Sequence, residues 1–155
     1  MHEHTILGLI QEPNVDFVDL RAVDLAGRFR HITIPVGRFT EALIEDGIGF
    51  DGSNYGYRDV ASSDMVLVPD VSTAYLEERD GERVVVVIGD VLDAGTRQPV
   101  RIDPRGIARQ AERHLVDSGI ADQFQISPEF EFYVFERALF DSDPGHTHAE
   151  IVPLE

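Results

Sequence analysis

Glu129 and Glu131 lie two positions apart in the apolar run ISPEFEFYVF, residues 126–135. In a strand, side chains alternate between faces, so residues i and i+2 point the same way. Ile126, Pro128, Phe130, Phe132 and Val134 then form one face, and Glu129, Glu131, Tyr133 and Phe135 the other. The two carboxylates would stand about 6.5 to 7 Å apart at their backbone positions. A dry, unpaired carboxylate pair is costly, so that face calls for a divalent cation, a basic side chain or water. Oxygen ligation of Mg2+ or Mn2+ is one outcome. A solvated face of an alternating strand is the other, since two carboxylates do not complete a metal shell.

Asp51, in Phe50–Asp51–Gly52–Ser53–Asn54, is the second candidate. A loop can present such a carboxylate to a cation or an amine, or the carboxylate can bond its own backbone in an Asx turn. Asp64 and Asp70 read as turn or cap residues. His146 and His148 have a metal-like spacing but lie among Asp and Glu near a polar terminus, where solvated histidines are expected. His31 and His114 read as structural. Ser62 and Ser63 have no histidine placed by the sequence to activate them, so a hydrolase triad is not supported.

The elements that must hold these residues follow from pattern. Residues 3–12 read as a short helix that Pro13 ends. Val15–Val23 and Arg28–Ile34 read as a hairpin turned by Asp24–Gly27. Residues 37–46 have a helical pattern, with Phe39, Ala42 and Leu43 on one face and Gly47 as a stop. Residues 47–65 read as a long loop of the kind that carries binding groups. Met65–Val71 is a short strand, residues 75–83 an exposed loop turning at Asp80–Gly81, and Arg83–Leu92 the strongest strand. Asp103 caps and Pro104 opens a helix with Ile107, Ala111 and Leu115 on one face. Residues 126–135 return to strand with Phe132 toward a core, where truncation to Ala would cost about 3–5 kcal/mol. Residues 138–150 read as loop. The order predicts a small mixed α+β sheet with packed helices. A doubly wound nucleotide-binding sheet is excluded, because its alternation and glycine fingerprint are missing.

The chain has 155 residues, a formal charge of −16 and no cysteine. That acidity argues against a nucleic-acid backbone binder. Disulfides, thiolate metal sites and cysteine nucleophiles are excluded. With no long apolar span and no signal-peptide pattern, the expectation is a cytoplasmic protein without a membrane partner.

Several separated motifs, in order, resemble the glutamine synthetase family. FDGSNYGYRDVASSDMVLVPD, residues 50–70, is similar to the family's FDGS, loop, SDM and PD pattern. Before it come the DLAG hairpin, Pro35 and a short helix; after it, DPRGIARQAERHL at 103–115 and ISPEFEFYVF resemble the family's helix and metal-binding strand. The resemblance covers residues 14–136. It implies a β-grasp-like amino-terminal domain over 14–100, followed over 101–155 by the beginning of a truncated catalytic domain. It implies an ATP-dependent ligase that joins ammonia or another amine to the glutamate γ-carboxylate through γ-glutamyl phosphate. Glu129 and Glu131 would be ligands of Mg2+ or Mn2+. Asp51 would be the catalytic aspartate that reaches an adjacent subunit and binds and deprotonates ammonium, in a homo-oligomer.

Ser127 stands where the family has Gly, and Asn54–Tyr55 replaces the usual Ser and aliphatic residue. The remaining metal ligands and the nucleotide site have no counterpart in these residues. The chain is therefore expected to be an amino-terminal portion, inactive alone and binding no metal or ATP tightly. The alternatives are a non-catalytic interaction or oligomerisation domain from a truncated paralogue, and a small independent metal-binding protein.

Overall fold

The computed structural model describes residues 6–57, 63–79 and 81–154. Two compact units emerge, Met1–Gln123 and Phe124–Glu155.

The first unit is a mixed sheet built around one strand. In chain order its elements are α1 (Ile6–Leu9), β1 (Val15–Val23), β2 (Phe29–Pro35), α2 (Glu41–Asp46), β3 (Ile48–Asp51), β4 (Asp64–Pro69), β5 (Tyr75–Arg79), β6 (Glu82–Asp93) and α3 (Pro104–Asp117). The valine run of β6 supplies the β-branched surface that favours a doubly paired central strand. β6 pairs in parallel with β1, Val18 opposite Val85 and Leu20 opposite Val87. Antiparallel to it, β5 takes Glu82–Val86 and β4 takes Gly89–Asp93. β2 extends the sheet beyond β1, and β3 extends it beyond β4.

Strand alternation sends Val18, Leu20 and Ala22 of β1, Met65 and Leu67 of β4, and Val85, Val87 and Val91 of β6 into one core. Phe39 and the half-buried Leu43 and Ile44 cover part of it. Thr40 caps α2 by accepting from the Leu43 N–H at 3.3 Å. Gly47 ends it with φ 76°, and a Cβ there would meet the Leu67 carbonyl oxygen at 2.6 Å, so only glycine fits.

The hairpin, the central strand and the Asp103–Pro104 helix start stand where sequence placed them. Four segments differ. Residues 48–51, read as loop, form β3 against β4. Residues 75–79, also read as loop, form β5, because β6 offers them an edge and their polar side chains tolerate exposure. Ala42 is exposed, leaving Leu43 and Ile44 to face the core. No α3 side chain is buried, and Ile107 is 51% exposed. The start of the helix expected over 3–12, together with Ser62 and Asp80, lies outside the described residues.

The second unit corrects the sequence most. Residues 121–134 form no strand, and only Phe135 of the expected strand enters one. β7 (Phe135–Asp143) and β8 (His146–Pro153) make an antiparallel hairpin where loop was expected. A strand needs a partner for its backbone groups as well as alternating side chains; 126–134 has the alternation without the partner. Phe132, expected in a core, is 80% exposed. Among the described residues, no helix is long and apolar enough to cross a membrane.

Burial therefore separates two apolar residues that sequence treats alike. Leu67→Ala should cost about 2–5 kcal/mol, whereas Phe132→Ala should stay within about 0.5 kcal/mol. Urea denaturation of the two variants checks this; equal losses would contradict the burial pattern.

Candidate functional site

Asp51 is the last residue of β3 and sits opposite Asp64 of β4. Its carboxylate caps the 3-10 turn Gly52–Tyr55, accepting the Ser53 N–H at 2.9 Å. The side chain is exposed. Hydrogen bonds from the Ser53 side chain, the Ser53 amide and the Ser63 side chain hold its pKa below the ordinary 3.8. An Asx turn and a presented, ionised carboxylate thus coexist, because the turn uses one oxygen and leaves the group in solvent.

The turn is tightly seated. Gly52 N–H donates to the Ser63 carbonyl at 2.8 Å. A Cβ on Gly52 would meet the Met65 sulfur at 2.3 Å, so the backbone lies directly on the core. Phe50 and Tyr55 pack with ring centroids 4.7 Å apart, and Tyr55 and Tyr57 at 6.0 Å. The Tyr57 hydroxyl donates to the Val23 carbonyl, and Asp103 Oδ1 lies 3.4 Å from it. Burial, then the charge of Asp103, pushes the Tyr57 pKa far above its usual value.

Asp103 caps α3, accepting from the Gly106 N–H at 2.9 Å. Burial raises its pKa more than these donors lower it. One turn into the helix, Arg105 and Arg109 each reach both Asp70 and Asp90. Arg105 Nε donates to Asp90 at 2.8 Å and Arg109 to Asp70 at 2.6 Å. Sequence reading placed Ile107, Ala111 and Leu115 on one apolar face of α3. The charged face makes these contacts instead, joining residues up to 39 positions apart.

A second polar cluster lies on the sheet face opposite the core. Asp19 is 3% exposed and accepts from Thr33 Oγ1 at 2.6 Å and Arg21 Nε at 3.1 Å, with His31 Nδ1 at 2.8 Å. Arg21 also reaches Glu77 at 2.8 Å and the Tyr75 hydroxyl at 3.1 Å. Burial alone would raise the Asp19 pKa, but the bonds from Thr33, His31 and Arg21 outweigh it and lower the value. Sequence reading missed Asp19, because a single acid in a strand carries no signal until β2 brings it Thr33 and His31.

Glu129 and Glu131 are exposed in the unpaired segment of the second unit. Their oxygen donors suit Mg2+ or Mn2+ in type, but among the described residues no three His, Asp or Glu side chains form a group that could hold a metal ion. The set is incomplete as a cation site, and no catalytic step can be built on it. Asp51 belongs to the other compact unit. His148 and His146 pair across the hairpin with Asp141 and Asp143.

Residues 14–94 match the family model for the glutamine synthetase beta-Grasp domain. The chain is 40% identical over 147 residues to glutamine synthetase of Mycolicibacterium smegmatis, covering 94% of this chain and 31% of that protein. It is 39% identical over 154 residues to glutamine synthetase of Escherichia coli K12, covering 99% and 33% respectively. It therefore spans about a third of the length of the curated relatives it matches. Among solved structures, Plasmodium falciparum glutamine synthetase matches with TM-score 0.75 at 23% identity, over 97% of this chain and 29% of that one, which shows the shared fold.

The pKa directions fix the sign of an acid response. Asp19 and Asp70 are lowered below 3.8, Asp70 because bonds from Ser72 and the charges of Arg105 and Arg109 outweigh its burial. Their stabilisation is present above 3.8 and is lost as pH falls through the lowered folded values. Asp103, raised, contributes with the opposite sign. The urea midpoint should fall between about pH 6 and pH 2.5, and less steeply in Asp70→Asn. An unchanged acid slope in that variant would contradict the Asp70 contribution.

Proposed function

The chain belongs to the glutamine synthetase family, and from that membership we propose that it is the amino-terminal part of an ATP-dependent ligase joining ammonia, or another amine, to the glutamate γ-carboxylate. The reaction phosphorylates the carboxylate from ATP, after which the amine attacks γ-glutamyl phosphate and phosphate leaves. In this reading residues 14–100 are the β-grasp domain and 101–155 the beginning of the catalytic domain. The chain alone is inactive, and the complete enzyme is a cytoplasmic homo-oligomer whose site takes Asp51 from a neighbouring subunit.

The observation that carries this reading is the exposed, ionised Asp51 carboxylate on a rigid turn at the end of β3. A fixed anion favours ammonium over ammonia in binding, then accepts a proton as the neutral amine becomes the nucleophile. Glu129 and Glu131 are two of the proposed ligands for Mg2+ or Mn2+; the metal, when bound, would offset phosphate charge. Asn54 and Tyr55 follow the acid closely enough to bear on which amine is used.

A second reading, an interaction or oligomerisation module, draws on Ile126, Phe130 and Phe132, all largely exposed. Exposed apolar surface of this kind favours being covered by a partner.

Assays separate the two. With ATP, glutamate, ammonium and Mg2+ or Mn2+, the 155-residue chain should form no glutamine. The same residues leading a complete family catalytic domain should form it. Asp51→Asn there should raise KM for ammonium at least about tenfold at unchanged ATP KM. Glutamine formation that ignores the Asp51 change would remove its assignment. Co-elution with a full-length subunit, but no activity in any assembly, would favour the interaction module.

A further inference from the structure

Asp51 is tied to β4 by its pairing with Asp64 and by the Ser63 side chain; the other end of its turn is anchored further along the chain. Residues 52–57 close on themselves, with the Tyr57 N–H donating to the Gly52 carbonyl at 3.1 Å and Gly56 to Ser53 at 3.1 Å. At the carboxyl end of that closed segment the Tyr57 side chain is 3% exposed. Its hydroxyl sits between the Val23 carbonyl, where β1 ends, and the Asp103 carboxylate, where α3 begins. Its ring meets Tyr55, and Tyr55 meets Phe50, so an aromatic chain runs from the residue before Asp51 to the buried anchor. The amino end is held by the Asp51–Asp64 strand pairing, by the Gly52 seat on Met65 and by the bonds to Ser63.

We infer that Tyr57 is a positioning residue for Asp51: its buried hydroxyl ties the turn to the end of β1 and the cap of α3, and so fixes where the Asp51 carboxylate is presented. The ring alone would fill the core without this effect. One hydroxyl proton satisfies the Val23 carbonyl; removing it leaves an acceptor buried beside a carboxylate, and the turn must shift or admit water to compensate. α3 can serve as an anchor because Arg105 and Arg109 pin it to Asp70 and Asp90. The importance of this role for catalysis rests on the assignment of Asp51 to the amine; the positioning itself does not.

The test uses the 155-residue chain and reads Asp51 directly. Tyr57→Phe keeps the ring and removes the hydroxyl. The Ser53 amide, which donates to Asp51, reports the turn, and the Val86 and Val87 amides report the sheet. Hydrogen exchange at Ser53 should quicken about tenfold in Tyr57→Phe, with less than about a twofold change at Val86 and Val87. The Asp51 carboxyl carbon, followed by NMR, should titrate nearer its ordinary value, since the Ser53 bonds that lower it loosen. Unchanged Ser53 exchange and Asp51 titration would overturn the inference. Equal quickening at all three amides would also overturn it, because it marks a residue that only stabilises the core. If the positioning result holds but Asp51→Asn leaves ammonium use unchanged in the assembled ligase, the amine assignment fails and the role of Tyr57 stands.

Discussion

β6 is hydrogen-bonded along both edges, and every other element of the first unit is placed by that fact. Its pairing with β1 is parallel, which a tight turn cannot produce; a parallel pair needs a long crossover. Here the crossover runs from the end of β1 to the start of β6 and contains β2, α2, β3, the Asp51 turn, β4 and β5. The candidate residue thus lies in the part of the chain that topology obliges to be long. Its ends are clamped by sheet pairing, so a loop-borne carboxylate can still be held rigidly.

The chain holds its parts together with few cations. All 13 basic residues are arginine, set against 29 acids. The planar fork of arginine can bridge two acceptors at once, which a lysine ammonium does less well. Arg21 bridges Asp19 and Glu77, and Arg105 and Arg109 each bridge Asp70 and Asp90. Arg97 donates to the Asp46 and Glu45 carbonyls that α2 leaves unpaired at its end. Each bridge joins elements distant in sequence.

The second unit obeys the same rule from the other side. β7 and β8 satisfy each other's backbone and form. The segment before them has better strand composition but no neighbour, and stays irregular with its aromatics in solvent. Composition states what a segment could bury; pairing decides whether it does.

What sequence determined by itself was local and repetitive. The β1–β2 hairpin, the valine strand, the Asp103 cap and the glycine at residue 47 each rest on neighbours within a few positions. The family motifs, being linear, were equally legible, and they singled out Asp51, Glu129 and Glu131 before any geometry was known. Tertiary structure alone decided the burial of Asp19, the use of the charged face of α3, the pairing of the polar segment β5 and the exposure of Phe132. Those outcomes depend on which distant group arrives at a given edge or face. A carboxylate is buried when a threonine and a histidine from another strand reach it, and a strand forms when another offers its edge; neither condition is written in the residues concerned.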